Sequence, residues 1–289
     1  MNKVTIKAPA TSANIGPGFD TAGIAFDIYN TVTFSLEGNG LSFSGCDEKY
    51  HNENNLTYVA FKKALEVKNI PVPENLHINI KADIPVSRGL GSSAAMIVAG
   101  IMGANALCDC GFSREDILNI ATSMEGHPDN VAPCVLGGLV VSFMDNGEVI
   151  SVNYPVDNKF KFTAIIPDFK LSTKKARSVL PTTTSYKDAI FNISRSSVLY
   201  KAFEMGDEYI VSHALNDRLH QNFRRDLIAG YDEAESAAFS VGAIGFYLSG
   251  AGSTLMCVST KDITEKLSRK LPKTWKVMPL NIDKKGASY

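Results

Sequence analysis

The sequence predicts an α+β protein with an anion-binding loop in its first half, and three observations carry that reading. Strand-like and helix-like stretches are mixed, without the regular strand–helix–strand alternation of a doubly wound sheet. A polar/apolar alternation over residues 77–84 leads straight into the glycine turn Pro85-Val86-Ser87-Arg88-Gly89-Leu90-Gly91-Ser92-Ser93-Ala94-Ala95. That turn opens onto an apolar, proline-free run to Leu107, which reads as a helix. Polar and turn residues cluster at 155–159 and divide the chain into 1–157 and 158–289.

From the N-terminus, Val4-Thr5-Ile6-Lys7-Ala8 reads as a strand, Asn14-Ile15-Gly16-Pro17-Gly18 as a turn, and residues 28–36 as the returning strand. Val59, Ala60, Ala64 and Val67 recur at helical spacing and predict a helix over Leu56–Val67. The helix that ends at Leu107 gives way to the turn Cys108-Asp109-Cys110-Gly111. Ser113 with Asp116 three residues on resembles a capping box, and Ile117, Ile120, Ala121 and Met124 share one face of the helix it opens. Residues 137–143 and 149–152 read as strands around Asp145-Asn146-Gly147, a hairpin signal. Then come a strand at 162–167 and helices to about Ser240. Strands at 243–248 and 254–258 flank Ser249-Gly250-Ala251-Gly252-Ser253, and residues 276–282 supply the last strand.

Strand, glycine turn and helix start together make an anion cradle. Glycines let the backbone approach closely, the first helical N–H groups lack partners, and the helix dipole favours negative charge. Ser92 and Ser93 add hydroxyls at the mouth, where a phosphate oxygen or a Mg2+ ion fits. Two better-known loops do not match. Walker A needs Gly-Lys-Ser/Thr, which is absent. The dinucleotide pattern fits Gly89, Gly91 and Ala94 in form, but its acid about 20 residues on would be Asp109, which lies in a turn before a helix. Taken alone, the loop leaves open that its glycines serve only close helix packing.

The chain's 289 residues can bury a large core, and 45% hydrophobic with 20% charged residues is ordinary for a globular protein. Lys+Arg 29 against Asp+Glu 30 leaves a net charge of −1, with no general attraction to nucleic acid or membranes. The opening residues lack the apolar core of a secretion signal, and no apolar run reaches membrane-spanning length. Five cysteines (Cys46, Cys108, Cys110, Cys134, Cys257), odd in number and mostly in apolar settings, point to reduced thiols in a cytoplasm.

Three glycine motifs narrow the reading. They are Lys7-Ala8-Pro9-Ala10-Thr11-Ser12-Ala13-Asn14-Ile15-Gly16-Pro17-Gly18-Phe19-Asp20, the turn at 85–95, and Gly245-Phe246-Tyr247-Leu248-Ser249-Gly250-Ala251-Gly252-Ser253-Thr254. Together they resemble the GHMP kinases, over essentially the whole chain. The first motif and Glu125-Gly126-His127-Pro128-Asp129-Asn130-Val131-Ala132-Pro133 are similar to the branch of that family that phosphorylates homoserine. Ser253 stands where that branch commonly carries proline, at a turn-shaping position. The resemblance implies a ribosomal-protein-type α/β domain over 1–157 that binds ATP, and a ferredoxin-like domain over 158–289. It implies phosphoryl transfer from ATP, with Mg2+, to the side-chain hydroxyl of L-homoserine, on the route to threonine. The alternatives are a related kinase acting on mevalonate or a sugar, and a catalytically silent ligand-binding regulator of the same fold. Intact Ser93 and Glu125 argue against the regulator. A homodimer is left open.

The resemblance also assigns residues. Ser93 and Glu125 become the Mg2+ ligands, and the residue chemistry agrees. Glu125 falls in the last turn of its helix, where a carboxylate opposes the dipole at ~0.3–1 kcal/mol and a nearby cation removes that cost. Pro85, Val86, Ser87, Arg88, Gly89, Leu90, Gly91, Ser92, Ser93, Ala94 and Ala95 become the ATP loop, with Asn55 on the adenine side. Arg177 and Arg224 match carboxylate-binding arginines, whose forked guanidinium suits bidentate capture, and Arg225 rivals Arg224. Asp20 and Asn14 match the ammonium and hydroxyl ends of the substrate, and His127 and Asn130 line the same site. Asp129 and Asn130 both compete to meet the acceptor hydroxyl. The resemblance favours Asn130, which can orient a hydroxyl but cannot take its proton. His51, His77, His213 and His220 read as surface or core residues.

Overall fold

In the computed structural model, which describes residues 2–289, strands β1 (Lys3–Ala13) and β2 (Ala22–Ser35) pair antiparallel on either side of the first glycine loop. Both run longer than their periodicity signals. From Ala8 onward β1 is buried on both faces, so the alternation stops while the strand continues. β3 (Gly40–Ser44) is a half-buried edge strand lying parallel to β4 (Asn75–Ala82), and its mixed residues give no strand pattern. Between them, α1 (Leu56–Val67) has the expected bounds, but its buried face is Tyr58, Ala60, Phe61, Ala64 and Leu65, and Val67 is exposed.

Helix α2 (Ser92–Leu107) is buried almost all round and forms the centre of the core. α3 (Arg114–Glu125) opens on the Ser113/Asp116 capping box, both halves of which form. Next, α4 (Pro128–Leu136) starts with proline in its first turn and contains Pro133, which masks its helical signal in the sequence. β5 (Leu139–Asp145) and β6 (Glu148–Tyr154) form the expected hairpin, with Asn146 and Gly147 both at positive φ. The first sheet has the order β3-β4-β2-β5-β6, and β1 also pairs with β2.

The second half contains β7 (Lys161–Ile166), α5 (Thr173–Ser178), α6 (Tyr186–Met205), α7 (Glu208–Ala214), α8 (Gln221–Arg224) and α9 (Tyr231–Ser240). The chain ends with β8 (Gly245–Leu248), β9 (Leu255–Ser259), α10 (Thr264–Ser268) and β10 (Lys276–Leu280). Its four strands lie in the order β10-β7-β9-β8, all antiparallel. That is fourth-first-third-second, the ferredoxin-like arrangement. Alternation along β7 explains how this sheet is covered. Phe162, Ala164 and Ile166 join the main core beneath the first sheet, and Ile165 points to a smaller core with Ala234, Leu248 and Leu267. The tail after β10 returns to the first sheet, where Lys7 and Ser288 exchange backbone hydrogen bonds of 2.8 and 3.0 Å. Among the described residues, no helix is long and apolar enough to cross a membrane, and all five cysteines are free.

Candidate active site

The three glycine loops converge. Asn14 sits at φ 73° in the first loop; its Oδ1 accepts from the Asp20 N–H at 3.0 Å, and its Nδ2 donates to Gly250 O in the third loop at 3.0 Å. Gly89 lies so close to the third loop that an added Cβ would stand 2.3 Å from Ser249 O. The Thr254 N–H donates to Arg88 O at 2.9 Å. Between the loops lies a cleft of about 520 Å³, and the residues that line it fall into two groups.

At one end is the start of α2. Its N-cap, Gly91, is at φ 65° and has no side chain with which to cap the helix. The N–H groups of Ser92, Ser93 and Ala94 therefore lack intrahelical partners, in the geometry that binds phosphate. Ser93 Oγ donates to Glu125 Oε2 at 3.0 Å, joining the first turn of α2 to the last turn of α3. A hydroxyl and a carboxylate oxygen are the hard donors that Mg2+ takes, so this pair fits that ion.

The loop residues do not all face the cleft. Pro85 through Ser93 line it, but the side chains of Ala94 and Ala95 are fully buried in the core, because the helix turns them away from its open end. Arg88 is held by Pro167 O and Asp168 O, to which it donates at 3.0 and 2.8 Å, tying the loop to the end of β7. Asn55 is the N-cap of α1. Its Oδ1 accepts from the Thr57 and Tyr58 N–H groups and its Nδ2 donates to Tyr50 O, so its acceptor serves the helix rather than a base. Tyr50, Met96, Pro85 and Val86 form apolar walls at that side.

At the other end are charged side chains from four segments. Arg177, in the last turn of α5, donates to both carboxylate oxygens of Asp20 at 2.8 and 3.1 Å. Asp129 is 3% exposed, and its Oδ1 accepts from His127 Nδ1 at 2.8 Å and from Asn130 Nδ2 at 3.3 Å. That hydrogen bond to Asp129 raises the His127 pKa, against the opposing effect of burial. Asn130 Oδ1 accepts from Thr11 Oγ1 at 2.8 Å. Arg224, only 2% exposed, donates from Nε to Ala176 O and from Nη1 to Gly250 O. Burial, with Arg177 nearby, pulls its pKa down to about 10.

The adjacent arginines separate. Arg224 lines the cleft, while Arg225 pairs with Asp232 and reaches Glu235 on α9. Asn14 also lines the cleft, and it uses one N–H and one oxygen lone pair of its amide to hold the loops together. Sequence reasoning missed Phe19, which stacks on His220 at 5.1 Å with the Arg224 guanidinium 5.2 Å from its ring. It also missed Thr11. Both stand inside the first glycine motif, but neither residue type announces a binding role.

The family described as GHMP kinases N terminal domain matches residues 55–138, and GHMP kinases C terminal matches residues 199–277. The chain is 44% identical to a homoserine kinase of Clostridium botulinum (strain Okra / Type B1), over 98% of this chain and 97% of that one. It is 42% identical to a homoserine kinase of Clostridium beijerinckii, over 99% and 98%. The crystal structure of homoserine kinase from Cytophaga hutchinsonii matches at a TM-score of 0.89 and 28% identity, covering 100% of this chain and 97% of that one.

Proposed function

This chain belongs to the GHMP kinase family, and we propose that it transfers the γ-phosphoryl group of ATP to the side-chain hydroxyl of L-homoserine. The products are O-phospho-L-homoserine and ADP, on the route to threonine. The observation that carries this reading is the closeness of the two ends of the cleft. A Cβ added at Gly91, the N-cap of α2, would stand 3.1 Å from Asn130 Oδ1. The group suited to an acceptor hydroxyl thus lies beside the N–H groups suited to a phosphate.

Phosphoryl transfer needs chiefly alignment and charge neutralisation. The free N–H groups at the start of α2 hold phosphate oxygens, and Ser93 with Glu125 would hold Mg2+. Bound there, the ion neutralises charge on the transferring phosphates. An amino-acid zwitterion suits the other end: its carboxylate meets Arg177 and Arg224, and its ammonium meets Asp20. Asn130 Oδ1, already accepting from Thr11, keeps a second lone pair for the acceptor hydroxyl. It orients that hydroxyl without taking its proton, which a loose transition state tolerates. Asp129 is turned toward His127 and the Asn130 amide and holds both. The free cysteines support a cytoplasmic setting.

An ADP-release assay with homoserine, mevalonate, galactose and a no-acceptor blank tests the reading. Homoserine should raise the rate well above the blank. Faster turnover of mevalonate or galactose would overturn the substrate.

A further inference from the structure

Beneath the acceptor end lies a buried polar network that the proposed reaction does not itself use. His220 is 0% exposed, and its two ring nitrogens face different elements. Nε2 is 3.0 Å from Gly16 O in the first loop, and Nδ1 is 3.3 Å from Arg224 Nη1. A carbonyl only accepts and a guanidinium only donates, so one tautomer satisfies both contacts. Nε2–H donates to Gly16 O, and a bare Nδ1 accepts from Arg224.

The surroundings keep the ring neutral and fixed. Asp217, the nearest acid at 3.7 Å from Nε2, has Oδ2 taken up by the backbone N–H groups of His220 and Gln221. Its Oδ1 accepts from Asn192 Nδ2 and the Leu219 N–H. Phe19 stacks on the ring, and burial lowers the His220 pKa. Arg224 itself uses Nε and Nη1 on protein acceptors, and Nη2 has no partner among the described residues.

We infer that His220 is a positioning residue for the acceptor. Its unprotonated Nδ1 fixes the Arg224 fork so that Nη2 faces the cleft, and its Nε2–H ties that fork to the loop carrying Asp20. The two charged partners of an amino-acid substrate are thereby held in one register. This inference rests on the reading of Arg224 as a carboxylate partner.

Two substitutions divide the two bonds. An Asn amide reaches about as far as Nδ1, so His220→Asn keeps an acceptor for Arg224 and loses the contact with Gly16. A Gln amide reaches about as far as Nε2, so His220→Gln keeps a donor to Gly16 O and loses the acceptor for Arg224. Steady-state kinetics should show the homoserine KM raised about tenfold or more in His220→Gln, the scale of a lost charge-assisted hydrogen bond. In His220→Asn it should change by less than about threefold, with the ATP KM unchanged in both. Equal effects in the two variants, or a parallel rise in the ATP KM, overturn the inference.

Arg224→Ala in the same assay separates the two levels of argument. An unchanged homoserine KM there removes Arg224 from the substrate, and the inference falls with it. A large change there, with none in His220→Gln, defeats only the positioning role. Should either His220 variant fail to fold, 15N-histidine NMR of the unaltered protein decides. A buried ring in the Nε2–H tautomer is expected at neutral pH, and an Nδ1–H tautomer or an imidazolium there overturns the proposal.

Discussion

The end of the cleft proposed for the nucleotide is built chiefly on backbone, whereas the end proposed for the acceptor is built on side chains. At the first, a few consecutive residues from Gly89 to Ala94 set a loop, an open helix start and two hydroxyls, with Glu125 reaching in from α3. At the second, Asp20, His127–Asn130, Arg177 and Arg224 come from segments far apart in the chain, and Asp20, Asn130, Arg177 and Arg224 each have a partner on another segment. A backbone cradle depends on local φ/ψ and on the absence of a Cβ. A side-chain cage depends on long-range packing and on charges that oppose one another at close range. The first end should therefore fail through turnover, and the second through acceptor affinity.

The largest break is expected at the nucleotide end. Glu125→Ala should lower kcat about a hundredfold or more while shifting the homoserine KM little, because a bound cation supplies several kcal/mol of charge stabilisation. Near-normal kcat in a folded variant would remove Glu125 from the site. Next in size, Arg177→Ala and Arg224→Ala should each raise the homoserine KM about ten- to 150-fold with the ATP KM near normal, at ~1.5–3 kcal/mol for a lost charge-assisted partner. Equal penalties on both substrates would place these arginines on the phosphates and erase the contrast between the ends.

Smaller effects sharpen the contrast within the acceptor end. Asp129→Asn should keep kcat within about tenfold, below the ~10²–10⁴-fold contribution of a true general base. Asn130→Ala should lose more, through misplacement of the hydroxyl. A thousandfold loss in Asp129→Asn, with disappearance of the acidic limb of the kcat–pH profile, would make Asp129 the base.

His127 gives a pH-dependent test. Its pKa is raised by Asp129, so its contribution to stability is fully present below the ordinary histidine value of about 6.5 and is lost as pH rises through the raised value. The melting-temperature deficit of His127→Gln, measured by calorimetry, should thus be larger near pH 5.5 than near pH 9. A deficit independent of pH would show that the variant loses packing rather than the charged hydrogen bond. The smallest expected effect is that of Arg225→Ala, because an exposed ion pair contributes about 0–1 kcal/mol. Both KM values should stay within about twofold, and a large rise in the homoserine KM would reverse the assignment of the adjacent arginines.

The bounds of α1, the capping box before α3 and the turn between β5 and β6 were legible because each depends on residues within a few positions of one another. β3 was not, since a half-buried edge strand needs no periodic apolar face, and α4 was hidden by its two prolines. In the site, the glycine loop was legible for the same local reason. Ala94 and Ala95 fit the motif and yet point into the core, because a motif specifies a stretch of chain but not which way a helix turns each side chain.

The sequence by itself determined the local form of the glycine loop and of the helix start that follows it. Glycines at 89 and 91 ahead of an apolar helix leave N–H groups open at its start, whatever packs around them. Only the tertiary structure decided the acceptor end. It turned Arg224 to the cleft and Arg225 to Asp232, paired Asp20 with Arg177, used Asn14 and Asn55 to hold a loop and a helix start, and buried His220 against Arg224. The physical reason lies in what each outcome depends on. Whether a polar side chain faces a substrate or holds a loop is set by which donors and acceptors surround it once it is buried, and for Asn14 the acceptor lies 236 residues away.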